Sequence, residues 1–120
     1  MPRLMSVALT EDQVRARSKF VTRRLGWEYL RVGDRLWLCR KVMGRRKGEP
    51  LVKITLVEVV SVRRERLDLI DQADVDAEGF PDRDPAWFVG FFCSSHKGCE
   101  PGSDVTRIEW KYLDVEVPSS

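Results

Sequence analysis

The stretch from 51 to 62, Leu-Val-Lys-Ile-Thr-Leu-Val-Glu-Val-Val-Ser-Val, constrains this chain more than any other. It is dominated by Val, Ile and Thr, whose branching at Cβ restricts χ1, disfavours a helix and fits a pleated surface. A long strand over 51–62 is predicted. Near the other end Thr106, Ile108, Trp110 and Tyr112 alternate with Arg107, Glu109 and Lys111, as a half-buried last strand would. Two such strands commit the chain to a sheet that something must cover. With 120 residues it can bury one core but not two, so a single domain over 1–120 is expected.

Shorter elements fill in around these strands. Residues 6–9 read as a first strand. Thr10 looks like an N-cap, with Gln13 completing a capping box for a helix over 11–17. Gly33-Asp34 marks a turn, and 35–42 after it alternates imperfectly as a strand. Residues 44–49 form a charged loop, and 67–76 suggests one or two helical turns. Asp84 as N-cap and Pro85 at the first helical position open a helix through Trp87, Phe88, Phe91 and Phe92, with Gly98 as its stop. Being apolar on nearly every face, that helix is expected to be buried. Strands flanked by a few helices, without strand–helix–strand alternation, give an α+β class with a small mixed or barrel-like sheet.

Charge is distributed unevenly. The formal net charge is only +2, yet residues 1–66 hold 17 Lys/Arg against 7 Asp/Glu, and residues 67–120 hold 4 against 12. A basic front half points to an anionic partner. With 42% hydrophobic and 33% charged residues the chain is ordinary for a globular protein. No apolar run is long enough to cross a membrane, and residues 1–10 lack the apolar core of a secretory leader. Three cysteines make no disulfide framework. A cytoplasmic location is the expectation.

The densest chemistry runs from Arg15 to Tyr29. Lys19, Arg23 and Arg24 can bind phosphate, Arg in bidentate fashion. Thr22 adds a hydroxyl, and Trp27 and Tyr29 offer faces on which bases stack. Against this, such cations also form solvated faces, and composition alone favours a core role for Trp27 and Tyr29. A second basic block, Arg40-Lys41-Val-Met-Gly44-Arg45-Arg46-Lys47-Gly48, describes a flexible tip. Arg45, Arg46 and Lys47 there could follow a phosphate backbone without reading sequence, or simply keep the loop soluble. Arg63, Arg64 and Arg66 could extend the same surface.

Lys19-Phe-Val-Thr22-Arg23-Arg24 resembles the K-x-x-T-x-R element of the ASCH domain (activating signal cointegrator-1 homology). Gly33-Asp34, Glu78-Gly79-Phe80 and the strand over 108–112 follow in that family's order, so the resemblance spans roughly residues 6–113. It implies a small PUA-like β-barrel with flanking helices, in a superfamily regarded mostly as RNA-binding or nucleic-acid-associated. Proteins it resembles include an amidohydrolase that deacetylates an acetylated cytidine, and one with ribonuclease activity. Position by position, Lys19, Thr22 and Glu78 match the amidohydrolase's three residues implicated in catalysis, and Arg24 the basic residue closing the motif. A threonine hydroxyl attacking an amide carbonyl needs a base and a nearby cation, roles open to Glu78 and Lys19. Glu78 also lies among Asp71, Asp74, Asp76 and Asp82, a run of a kind that usually faces solvent. An ion pair with Lys19 would equally serve structure.

The chain departs from the family in carrying Arg17 where a Gly usually precedes the Lys by two residues. It also has a longer Arg45-Arg46-Lys47 loop and an added aromatic helix, which favour a larger partner. The expected function is therefore binding of RNA, or of a single-stranded or modified nucleic acid or nucleoside, by Lys19, Arg23, Arg24, Trp27, Tyr29, Arg45, Arg46 and Lys47. The alternative is a hydrolase of an acylated nucleoside using Lys19, Thr22 and Glu78, or a ribonuclease. No cofactor is expected. Cys93-Ser-Ser-His96-Lys-Gly-Cys99 has ligand-like spacing but offers at most three zinc ligands, with Cys39 a fourth only if the fold brings it close. His96 and Lys97 could instead line the cleft.

Overall fold

The structure is a computed structural model that describes residues 2–114. Its strands are β1 (Arg3–Ser6), β2 (Val21–Arg24), β3 (Arg35–Cys39), β4 (Lys53–Arg66) and β5 (Asp104–Tyr112). Its helices are α1 (Glu11–Arg15), α2 (Gln72–Ala77) and α3 (Pro85–Ser95), with 3-10 turns at Ala8–Thr10 and Leu67–Leu69. The long β-branched segment is β4, whose 14 residues form the spine of the sheet. Its first part pairs antiparallel with β3 and its remainder with β5, so one strand bends across two neighbours. The bend is helped by a register slip between Val59 and Ser61, which leaves Val60 over as the extra residue of a bulge.

The sheet order is β1-β3-β4-β5-β2, with β1 parallel to β3 and every other pair antiparallel. The edges β1 and β2 share no ladder, so the expected barrel is a curled, open sheet, a half-barrel with a seam. Inside the curl lie Met5, Leu36, Leu38, Val57, Val59, Ile108 and Trp110, all buried. Leu67, Ile70, Val75, Phe88, Phe92 and Val105 form a second apolar cluster that seats α2 and α3 against the sheet. With both faces covered, β5 buries Thr106 and Arg107 as well as Ile108. The alternating pattern had placed Arg107 in water.

Several boundaries differ from expectation for identifiable reasons. The first strand starts at Arg3 and ends at Ser6, because Ala8–Thr10 turn as a 3-10 helix that feeds α1 directly. Thr10 is buried inside this continuous turn, and its side chain caps nothing. Helix α1 stops at Arg15 because Arg17 takes a left-handed φ of 56°, a conformation suited to glycine. Asp84 caps α3 as predicted, its carboxylate accepting from the Trp87 N–H at 2.8 Å. The helix is not buried all round, however: only Phe88 and Phe92 are, while Ala86, Gly90, Ser94 and Ser95 face solvent. It is a surface helix with an aromatic inner face.

Candidate functional site

The seam between β1 and β2 is where the conspicuous side chains meet. A pocket of about 190 Å³ opens there, with Ser6 and Val7 on one lip and Thr22, Arg23 and Arg24 on the other. Lys19, Thr22 and Glu78 all line it, so the structure brings the three motif residues together from opposite halves of the chain. All three are 2–3% exposed. The K-x-x-T-x-R segment lies past α1: Lys19 precedes β2, and Thr22, Arg23 and Arg24 are on that strand.

Backbone bonds fix this segment first. The Lys19 carbonyl accepts from the Trp110 indole Nε1 at 3.0 Å and from the Tyr112 hydroxyl. The neighbouring Phe20 N–H donates to the Ala77 carbonyl at 2.7 Å, tying the segment to the end of α2. Glu78 sits at that helix end and Gly79 follows with φ +103°. A Cβ on Gly79 would lie 2.6 Å from Gln13 Cγ, so only glycine permits both the turn and the approach to α1. The turn aims Glu78 and Phe80 into the pocket.

The charges then form a chain. Lys19 Nζ donates to Glu78 Oε1 at 2.7 Å and to the Glu78 carbonyl at 3.0 Å. Arg23 Nη1 donates to the other oxygen, Oε2, at 3.1 Å, and Arg23 Nη2 reaches Asp74. Asp74 in turn accepts from Arg107 Nε at 2.6 Å and Nη2 at 3.0 Å. These bonds with Arg107, and then those with Arg23, hold the Asp74 carboxyl down at about 2 and push Arg107 upward. Burial pulls the Lys19 ammonium below its ordinary value; Glu78 opposes this, while Arg24 and Arg23 add to it. Arg23 Nε is buried without a partner. Both oxygens of Glu78 are thus engaged by cations.

Arg24 is different. It donates from Nη2 to the Ser6 carbonyl at 2.8 Å and from Nε to Thr22 Oγ1 at 3.3 Å, and among the described residues it makes no ion pair. The first of these bonds crosses the open seam where a ladder would close a barrel. Crowding by protein atoms lowers its pKa to about 10, although part of its surface stays open. The same pocket has an aromatic wall of Phe80, Phe88, Phe91, Phe92 and His96. The lining carries three cations and one carboxylate, so the site combines an excess of positive charge with apolar surface.

Other expected site residues lie elsewhere. Arg45, Arg46 and Lys47 are exposed on their loop and do not line the pocket. Tyr29 is 60% exposed, with the Arg3 guanidinium 4.3 Å from its ring centre, so it is no core residue; Trp27 packs partly against the core. Arg63, Arg64 and Arg66 do not line the pocket and form surface pairs with Glu65, Glu28 and Asp68. Cys93 and Cys99 do meet, sulfur to sulfur at 3.4 Å, but His96 Nδ1 is bonded to the Phe92 carbonyl and Cys39 is buried in β3. Among the described residues no three His, Cys, Asp or Glu side chains form a metal-sized group. Nor is any helix long and apolar enough to cross a membrane.

His96 lines the pocket as expected, without Lys97, whereas Asp74, Arg107 and the four phenylalanines of the wall were not legible as site residues. Asp74 precedes Glu78 by four residues, which puts both on one helical face, and that spacing was the available signal.

No family model matches the sequence, and no curated protein is similar enough to count as a relative. Solved structures do match. The crystal structure of an ASCH domain from Lactobacillus crispatus JV V101 superposes with a TM-score of 0.64 at 15% identity, covering 92% of this chain and 79% of that one. The fold is that of an ASCH domain. A hypothetical protein, PH0355, matches at TM-score 0.66 and 16% identity over 94% of this chain and all of its own. Protein EF3133 of Enterococcus faecalis V583 matches at 0.61 and 10%, over 94% and 76%. In this chain the end of α2 packs against the segment that carries the motif, which brings Lys19, Thr22 and Glu78 together at the seam.

Proposed function

We propose that this chain is an ASCH-family nucleic-acid-binding module, an open variant of the PUA-like barrel whose seam takes one unit of an RNA or of another single-stranded or modified nucleic acid. The observation that carries this reading is Arg24, a crowded guanidinium that makes no ion pair among the described residues, in the same pocket as an aromatic wall. A crowded unpaired cation is costly until an anion reaches it. An aromatic wall receives a planar ring. A nucleotide unit supplies both, a phosphate for Arg24 and a base for the wall. Exposed Arg45, Arg46 and Lys47 add contacts to neighbouring phosphates and no sequence reading.

Fluorescence anisotropy with short single-stranded RNA at several salt concentrations tests this. Binding should weaken steeply with salt, and Arg24→Gln should lower affinity about tenfold. Affinity indifferent to both changes removes the proposal.

A hydrolase is the second reading, favoured by the convergence of Lys19, Thr22 and Glu78 in one pocket. In the resting geometry Glu78 is clamped by Lys19 and Arg23, so it orients Lys19 rather than receiving a proton from Thr22. Lys19, donating to Glu78, supplies the nearby cation of such a site. Turnover of a panel of acylated nucleosides that is abolished by Thr22→Ala would establish the enzyme; no turnover by the wild type would dismiss it. Ribonuclease activity would have to disappear in Lys19→Ala.

A further inference from the structure

His96 is the only histidine of the chain and stands at the end of α3, on the aromatic wall of the pocket. Its Nδ1 lies 2.8 Å from the Phe92 carbonyl oxygen. A carbonyl only accepts, so the Nδ1 atom carries the proton, and in the neutral ring Nε2 keeps its lone pair. The ring is held a second way, stacked on Phe92 with centroids 4.1 Å apart and planes 16° from parallel. Among the described residues no group bonds Nε2. The result is a ring with fixed orientation and fixed tautomer, half-buried, with one free acceptor. Of the other hydrogen-bonding side chains at the pocket, Lys19, Arg23 and Arg24 only donate, Ser6, Thr10, Thr22 and Ser95 do both, and both oxygens of Glu78 are already engaged by cations.

We infer that His96 is a specificity-determining residue of the pocket, whose Nε2 accepts a hydrogen bond from a ring-edge N–H of a planar ligand seated in that pocket. This rests on the nucleotide-binding reading above and adds to it a polarity. Arg24 meets the anionic end of the ligand, and His96 meets a donor on its base. Base rings whose facing edge offers only acceptors would leave Nε2 opposed by a lone pair and bind less well.

A merely structural histidine makes the opposite predictions, which allows a clean test. His96→Asn puts an amide where Nδ1 was, so it can keep the bond to the Phe92 carbonyl while leaving nothing at the Nε2 position. His96→Gln reaches to the Nε2 position with an acceptor and gives up the cap. Affinities of both variants, with His96→Phe as the stack-only control, are measured by anisotropy with short homopolymeric RNAs of adenosine, cytidine and uridine, and folding is checked by circular dichroism and thermal melts. The expected result is that Gln binds the preferred RNA within about threefold of wild type, while Asn and Phe lose about tenfold and lose the preference among bases. Asn binding as wild type while Gln fails would overturn the inference and leave a helix cap. Equal binding by all three would overturn it too, with the nucleic-acid reading intact. A wild type that binds none of these RNAs overturns the reading of the pocket and this inference with it.

Discussion

The chain has two compact cationic blocks, Lys19 to Arg24 and Arg45 to Lys47, and the structure treats them oppositely. The first is drawn into the protein: Lys19 and Arg23 are 3% exposed and bonded to Glu78 and Asp74. The second projects into solvent on a loop. Arg46 offers only its backbone N–H to Glu49, and Arg45 bonds the Val42 carbonyl. Similar residues at similar density therefore do different work. Cations opposed by carboxylates of the acidic half become part of the framework, and those without such partners stay available to an outside anion. Arg24 combines the two cases, because it is built into the framework yet has no carboxylate of its own.

The sharpest way to break this contrast is Glu78→Gln. It leaves Lys19 and Arg23 buried without their shared carboxylate and should cost about 3–5 kcal/mol of stability, read from the midpoint of urea unfolding. A loss below about 1 kcal/mol would mean that the cations escape to water and the pair is not structural. The same variant is consequently a poor probe of catalysis, since loss of activity would accompany loss of fold.

Acid should separate the two blocks next. The Asp74 carboxyl sits at about 2 instead of 3.8. A depressed folded value contributes stability that is complete above the unfolded pKa and disappears as pH falls through the folded one. About 2 kcal/mol should therefore be lost between roughly pH 4 and pH 2. Denaturant melts across that range should slope in the wild type and lie flatter in Asp74→Asn, which starts lower. Parallel curves would count against the Arg23–Asp74–Arg107 bridge.

Arg24→Gln should move stability by no more than about 1 kcal/mol, because it removes an unpaired crowded charge as well as two hydrogen bonds, while affinity for RNA drops about tenfold. An equal penalty in both quantities would return Arg24 to the framework class. The smallest effect belongs to the loop. Neutralising Arg45, Arg46 and Lys47 to Gln should change stability by less than about 0.5 kcal/mol. It should also make the log–log salt dependence of RNA binding shallower by about 0.7 for each phosphate that the loop no longer neutralises.

The sequence by itself determined the local parts. The β-branched run over 51–62 is the strand spine because its side chains suit a pleat. Asp84-Pro85 opens α3 because a carboxylate cap and a fixed φ both suit a helix start. The K-x-x-T-x-R pattern with Glu78-Gly79-Phe80 named the three residues that line the seam together. Only the tertiary structure decided which charges are framework and which are free. Periodicity could not show that α2 covers the second face of β5, so Arg107 read as solvated. The acidic run could not show that Asp74 turns inward while Asp76 stays exposed. An apolar helix gave no hint that its inner face would finish a pocket. The reason is physical: a charge buries only when a partner from a distant segment arrives to satisfy it, and that arrival is a property of the packed chain.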